Sequence, residues 1–155
     1  MLVRDIMTHD VITVRRDARV ATVVQLFRKH AISGLPVVDD KGALVGIITE
    51  KDLIARHARP HFPHYLQFLD SVIYLERPKR YEESMRHILA TTAGELMTAP
   101  VRTVVPDTDV QDLTELMVEE GVNPVPVLDE EGRLVGVVSR TDVLNMIEQA
   151  ETTQP

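Results

Sequence analysis

Two short segments hold the residue types best suited to chemistry: Gly46-Ile47-Ile48-Thr49-Glu50-Lys51-Asp52 and Gly136-Val137-Val138-Ser139-Arg140-Thr141-Asp142. Each sets a hydroxyl three residues ahead of a carboxylate, directly after an apolar run. At a strand-to-helix junction this spacing suits a nucleotide. Backbone N–H groups of the helix N-terminus and the hydroxyl reach phosphate, while the carboxylate accepts from two ribose hydroxyls. The same spacing is also a capping box, in which the hydroxyl and the acid satisfy the first turn of a helix and nothing more. Both readings stand, and recurrence of the motif in register adds weight to the first.

Other constellations point to less. His57, His61 and His64, spaced by four and three, would place three imidazoles on one helical face in a metal-like pattern. Pro60 and Pro63 interrupt the helix this requires, so a polar surface or a phosphate-facing basic patch is preferred and no metal is expected. Arg77, Lys79 and Arg80 read as a solvated basic face. There is no Cys nucleophile, Gly-x-Ser-x-Gly, Walker-type phosphate loop or dinucleotide Gly-x-Gly-x-x-Gly. Most carboxylates sit in turns such as Asp39-Asp40 and Asp129-Glu130-Glu131, so no catalytic residue is assigned and no enzyme is expected.

The two chemical segments belong to a longer duplication. Residues 3–54 align with residues 93–144 at a constant offset of 90 without a gap, with about sixteen of fifty-two positions identical. Each copy predicts a short strand (Ile12-Thr13-Val14 in the first), then a helix opened by Asp17 as N-cap, with Val20, Val23, Val24 and Phe27 on its buried face. That helix ends near Ser33-Gly34. Two apolar runs follow, Leu35 to Val38 and Leu44 to Ile48, joined by an Asp39-Asp40-Lys41-Gly42 turn in which Gly42 permits positive φ. Thr49 then opens a second helix through Leu53 and Ile54. The second copy repeats this with Asp107, Val110, Leu113 and Met117, then Val125 to Leu128, the Glu130-Glu131-Gly132 turn, Leu134 to Val138 and Ser139. The expected fold is α/β (α+β): two β-α-β-β-α repeats packed about a pseudo-two-fold axis, because about fifty residues bury too little surface alone. The cleft between them is the natural ligand site.

Residues 55–92 differ in character, holding five of the six aromatics, four of the six His and a formal charge of +2 against -9 for the rest. Tyr65, Phe68, Leu69, Val72 and Ile73 keep helical spacing, so an amphipathic helix is expected there and a second over Tyr81 to Leu89. The expected organisation is repeat 1 over 1–54, a helical insert over 55–92, repeat 2 over 93–150 and a disordered tail over 151–155. In a chain of 155 residues, 44% hydrophobic content and no Cys exclude intrinsic disorder and a disulfide scaffold. A net charge of -7 argues against nucleic acid. No apolar run reaches membrane-spanning length, and Arg4 and Asp5 precede any leader-like stretch, so a soluble, cytoplasmic chain is expected.

The repeat resembles the CBS domain, named after cystathionine β-synthase. The likeness rests on Met7-Thr8 near its start, Gly34-Leu35-Pro36-Val37-Val38-Asp39 in its middle and the Gly46 to Asp52 segment at its end, each with its counterpart. It covers about two thirds of the chain and leaves the insert outside. The resemblance implies a stand-alone, non-catalytic, energy-sensing module of homodimeric, disc-like form. Its ligand would be adenosyl, with AMP foremost and ADP, ATP or S-adenosylmethionine as further candidates, and its effector protein is unidentified. Carried over, Thr49 with Asp52 and Ser139 with Asp142 hold phosphate and ribose. The adenine would lie against Thr13, Val14, Gly34, Leu35 and Pro36, or against Thr103, Val104, Pro124, Val125 and Pro126. The copies differ at Arg140, Arg102 (for Ile12) and Pro124 (for Gly34). The two cations make the Ser139–Asp142 site the expected tighter one for a phosphorylated ligand, and the insert the expected reader of occupancy. The competing expectation is a ligand-free scaffold whose closing motifs only cap helices and whose aromatic insert binds a partner.

Overall fold

The computed structural model describes residues 1–60, 65–68, 71–74 and 79–153. In the first copy β1 (Val14–Arg15) runs parallel to β2 (Gly34–Val38), which pairs antiparallel with β3 (Leu44–Thr49). Helices α1 (Val20–His30) and α2 (Glu50–Ala55) complete the β-α-β-β-α unit. The second copy has α5 (Val110–Glu119), β6 (Val125–Leu128), β7 (Leu134–Val138) and α6 (Arg140–Thr153). Its first strand shrinks to one parallel bridge between Val104 and Val127. The cause is local: the Arg16 N–H donates to the Val38 carbonyl at 3.1 Å, and the equivalent of Arg16 is Pro106, which has no N–H to give.

The hairpin turns form as expected, Gly42 and Gly132 taking φ of 81° and 76°. Asp39 and Asp129 hold them. The Asp39 carboxylate accepts from the Ala43 and Lys41 N–H groups at 2.9 Å each, and Asp129 from Arg133 N–H at 2.8 Å and Glu131 N–H at 3.1 Å. These donors favour the charged form. The Ala43 N–H holds Asp39 below the usual carboxylate range, and the Arg133 N–H does so for Asp129.

Several details depart from the sequence expectation. Asp17 does not cap α1: the N-cap is Arg19, and Asp17 lies in the preceding turn, 3.4 Å from Arg15. Asp107 is likewise in a turn, paired with Arg4 at 2.7 Å, while Asp109 caps α5 by accepting from the Gln111 N–H. Val24 is 40% exposed, although Val20, Val23 and Phe27 are buried as expected. In place of the helix expected over 65–73, the described residues of 65–74 are strands. β4 (Tyr65–Phe68) and β5 (Ser71–Tyr74) pair antiparallel, with Tyr65 opposite Tyr74 and Phe68 opposite Ser71. Apolar residues in so short a run fit either period, and the β-branched and aromatic content of Val72-Ile73-Tyr74 favours the strand. The second expected insert helix is present as α3 (Lys79–Leu89), followed by α4 (Ala93–Leu96). α6 continues to Thr153, into the stretch expected to be a tail.

The copies exchange their leading segments. Val3 is fully buried in the core of the second copy with Leu113, Val125, Val127 and Val138. Ala93 and Leu96 are fully buried in the core of the first, with Val23, Leu35, Val37 and Ile48. Paired bridges join the halves: Thr8 with Val137 and Thr98 with Ile47, Leu2 with Asp109 and Thr92 with Arg19. Each pair is related by the offset of 90, which is the pseudo-two-fold axis expressed as hydrogen bonds. No helix among the described residues is long and apolar enough to cross a membrane.

Candidate functional site

Each closing motif sits where the last strand of its copy, β3 or β7, hands over to a helix, α2 or α6. In the second copy, Asp142 Oδ2 accepts from the Ser139 N–H and the Ser139 hydroxyl, both at 2.7 Å. Its Oδ1 accepts no hydrogen bond from any described residue. In the first copy, Asp52 Oδ2 accepts from the Thr49 N–H at 2.8 Å and from its hydroxyl at 3.1 Å. Here Oδ1 is also engaged. It accepts from the Thr98 hydroxyl at 3.1 Å and lies 2.8 Å from His87 Nε2. His87 Nδ1 lies 2.8 Å from the Glu83 carbonyl, so the ring meets an acceptor on each side and only its doubly protonated form donates to both. The capping box thus uses half of Asp142 and, with His87 and Thr98, all of Asp52.

A cavity between the copies opens beside each motif. The Ser139–Asp142 cavity, of about 270 Å³, is lined from the first copy by Ile12, Ser33, Gly34 and Pro36 and from the second by Pro124, Val137, Ser139 and Asp142. Thr8, Asp10 and Thr141 complete its polar edge. Its charged lining residues, among those described, are two acids, Asp10 and Asp142. The Thr49–Asp52 cavity is larger, about 640 Å³, and is lined by Lys51, Arg86, His87, Arg102 and Arg140 together with Glu50, Asp52, Glu83 and Glu120. Arg102 is tied to Glu120 at 2.5 Å, and Arg86 donates to the Met97 carbonyl at 2.5 Å. Arg140 and Lys51 have no ion pair among the described residues.

Of the residues assigned by resemblance, Gly34, Pro36, Pro124, Ser139 and Asp142 line the first cavity, and Thr49, Asp52, Arg140 and again Pro124 the second. Arg140 is therefore not beside Ser139–Asp142, as its place in the sequence suggested. Successive side chains leave a helix about 100° apart, and as the first residue of α6 Arg140 turns to the other cleft, its N–H donating to Asn123 Oδ1 at 2.8 Å. Arg102 lines that same cleft. The two cations on which the expected ranking was built therefore line the Thr49–Asp52 cleft and not the Ser139–Asp142 one. Val14, Leu35, Val125 and Pro126 are packed into the cores, Thr13 and Thr103 are exposed, and Val104 packs against the second core. None of these seven lines either cavity. Ahead of β1 it is Val11 and Ile12, just before the buried Val14, that reach a cavity.

Gly34 and Pro124, equivalent by the repeat, meet each other between the cavities. A Cβ on Gly34 would lie 2.2 Å from Pro124 Cδ, so one member of the pair has to lack a side chain for the other to be a ring. Sequence comparison between the copies missed His87 and Arg86, which lie in the insert, outside the duplication. The signal available was the spacing of Glu83 and His87 by four on one helical face. Of the His cluster, His57 is exposed, and His61 and His64 lie outside the described residues, as does Arg77. No group of three or more His, Cys, Asp or Glu able to hold a metal occurs among the described residues.

Comparison with known proteins agrees with this architecture. The sequence model of the CBS domain matches residues 3–59 and 93–149. The uncharacterized protein MJ1426 of Methanocaldococcus jannaschii is 32% identical over 154 residues, covering 95% of this chain and 91% of that one. The structure of CBSX2 in complex with AMP, a CBS-pair protein of Arabidopsis thaliana, superposes with a TM-score of 0.77 at 27% identity, covering 97% of this chain and 98% of that one. The CBS domain pair of MJ0100, in complex with 5′-methylthioadenosine and S-adenosyl-L-methionine, gives 0.72 at 27% identity over 95% of this chain and 99% of that one. With both copies matched and the full α+β architecture shared, this chain belongs to the CBS domain family, as a tandem pair.

Proposed function

We propose that this chain is a non-catalytic, cytoplasmic regulatory module that binds an adenosyl ligand in the clefts between its CBS repeats and passes occupancy to an effector protein. One observation carries the reading: Asp142 has a carboxylate oxygen that accepts no hydrogen bond from the described residues, at a cavity walled by both repeats. A ribose diol needs such an acceptor, and a capping box alone has no use for it. Ile12, Pro36 and Pro124 offer the apolar wall a base requires. The ligands named for CBSX2 and MJ0100, AMP, 5′-methylthioadenosine and S-adenosyl-L-methionine, support the adenosyl class. With Asp10 and Asp142 as its only described charged lining, this cleft suits an adenosyl compound without phosphate, such as a thioether or sulfonium. AMP, ADP or ATP match the arginine-bearing cleft instead. We take the module to be a homodimer, since Ile54 and its repeat equivalent Leu144 are 70% and 63% exposed on α2 and α6.

The test is a thermal-shift titration of the nucleotide-stripped protein with AMP, ATP, S-adenosylmethionine, 5′-methylthioadenosine and a guanine nucleotide. A ligand at a hundredfold excess over its Kd adds about 2.7 kcal/mol, a readily visible shift. Adenosyl compounds shift the transition, the guanine nucleotide does not, and Asp142→Asn removes the response to methylthioadenosine. A folded protein indifferent to every adenosyl compound leaves helix capping as the whole role of both motifs.

A further inference from the structure

We propose that His87 sets the ligand specificity of the Thr49–Asp52 cleft. It occupies the carboxylate that a ribose would use, so a phosphorylated adenosyl compound enters only by displacing α3. This rests on the adenosyl-binding reading above and concerns the second cleft alone.

The pair is well shielded, with Asp52 and His87 side chains 7% and 13% exposed. With Thr98 on the same oxygen and Thr49 on the other, no lone pair of Asp52 is conveniently left for a diol. Asp142, its repeat equivalent, carries no such stopper.

The element that delivers His87 is held in a way that permits release. α3 buries no residue of its own. Its described attachments are polar: His87 to Asp52, Arg86 to the Met97 and Glu95 carbonyls, and Arg56 of the α2 C-cap to the carbonyls of His87 and Ala90. An element whose apolar side chains Tyr81, Met85 and Ile88 are only half-buried belongs toward the low-stability end of a fold, and a competitor for one of its bonds shifts its population.

The competitor's chemistry is legible in the same cleft. Arg140 and Lys51 are cations without an ion-pair partner among the described residues, which suits a phosphate. A ribose hydroxyl pair on Asp52 replaces His87, and the phosphate compensates through Arg140. Occupancy then frees α3 and changes the surface that the insert presents.

The experiment is calorimetry of the full chain with AMP, alongside hydrogen exchange over residues 79–89. His87→Ala tightens AMP binding by about tenfold, the factor expected when a competing closed state is removed. Arg56→Ala, outside the cavity lining, acts in the same direction by loosening α3. AMP lowers amide protection of 79–89 in the wild type. Circular dichroism and methylthioadenosine binding at the Ser139–Asp142 cleft report that each variant is folded. Unchanged AMP affinity in both variants overturns the inference, as does weaker binding by His87→Ala, which would make His87 a ligand contact. Failure of wild type and variants to bind either AMP or methylthioadenosine overturns the functional reading and this inference together.

Discussion

Asp52 and Asp142 close the same motif in two copies of one sequence, yet the fold leaves them with different unused bonding capacity. Asp52 is 6% exposed and satisfies donors from Thr49, Thr98 and His87. Asp142 is half-buried and, among the described residues, serves only its own cap. Removing a partner of buried donors costs about 1–3 kcal/mol, whereas weakening a helix cap costs about 1 kcal/mol. Asp52→Asn is therefore the more destabilising change and Asp142→Asn the one that abolishes ligand binding at its cleft. Urea denaturation of the two variants checks the first half, and equal stability losses would contradict the difference in their surroundings. At this scale the sequence identified both acids and both hydroxyls correctly as motif members. It had no means of showing that one carboxylate is taken, because the residue that takes it lies thirty-five positions away, in the insert.

The hairpins were the most legible elements, since Asp39 and Gly42, with Asp129 and Gly132, carry the turn chemistry in four consecutive residues. Their acids also set a pH dependence. In the folded state both carboxyls are held below their ordinary range by backbone N–H donors, first Ala43 for Asp39 and Arg133 for Asp129. The unfolded chain accordingly takes up protons at higher pH than the folded chain. The stabilisation is complete above about pH 4–5 and is lost as pH falls through the lowered folded values. Asp39→Asn with Asp129→Asn thus lowers the melting temperature at pH 7 and leaves the gap to wild type smaller near pH 3. A gap that stays constant across that range removes the electrostatic account. The insert was the least legible element. Tyr65 to Tyr74 fits both a helical and a strand period, and the pairing across β4 and β5 decided between them. Likewise Asp17 has the chemistry of an N-cap but lies two residues too early, because α1 starts only after Arg19 has bridged to Thr92.

Over the whole molecule, each copy completes its partner's core. Val3 seals the second and Leu96 the first, so the unit that repeats in sequence is not the unit that packs in space. The same crossing places Thr8 and Thr98 against the opposite β-hairpins and leaves Gly34 and Pro124 facing each other at the centre. It also leaves Ile54, Leu144 and Ile147 exposed on α2 and α6, at or near repeat-related positions. Apolar residues so placed suit a surface that a second copy covers symmetrically. Ile54→Glu with Leu144→Glu is expected to convert a dimer into a folded monomer in sedimentation velocity. A wild-type chain that sediments as a monomer at micromolar concentration removes the dimer from the proposal.

By itself the sequence determined the duplicated β-α-β-β-α unit, its hairpins and the two hydroxyl-carboxylate motifs, because these depend on local turn chemistry and on a period visible within fifty residues. Tertiary structure alone decided which cleft holds the cations, which motif has a carboxylate oxygen that no described residue engages and which one meets His87 of the insert. The offset of 90 shows where the copies differ in sequence, at Arg102, Pro124 and Arg140, but not which cleft each difference faces. The inequality comes from the cleft that Arg140 faces as α6 begins and from an element the duplication does not contain, the α3 helix that carries His87 to Asp52.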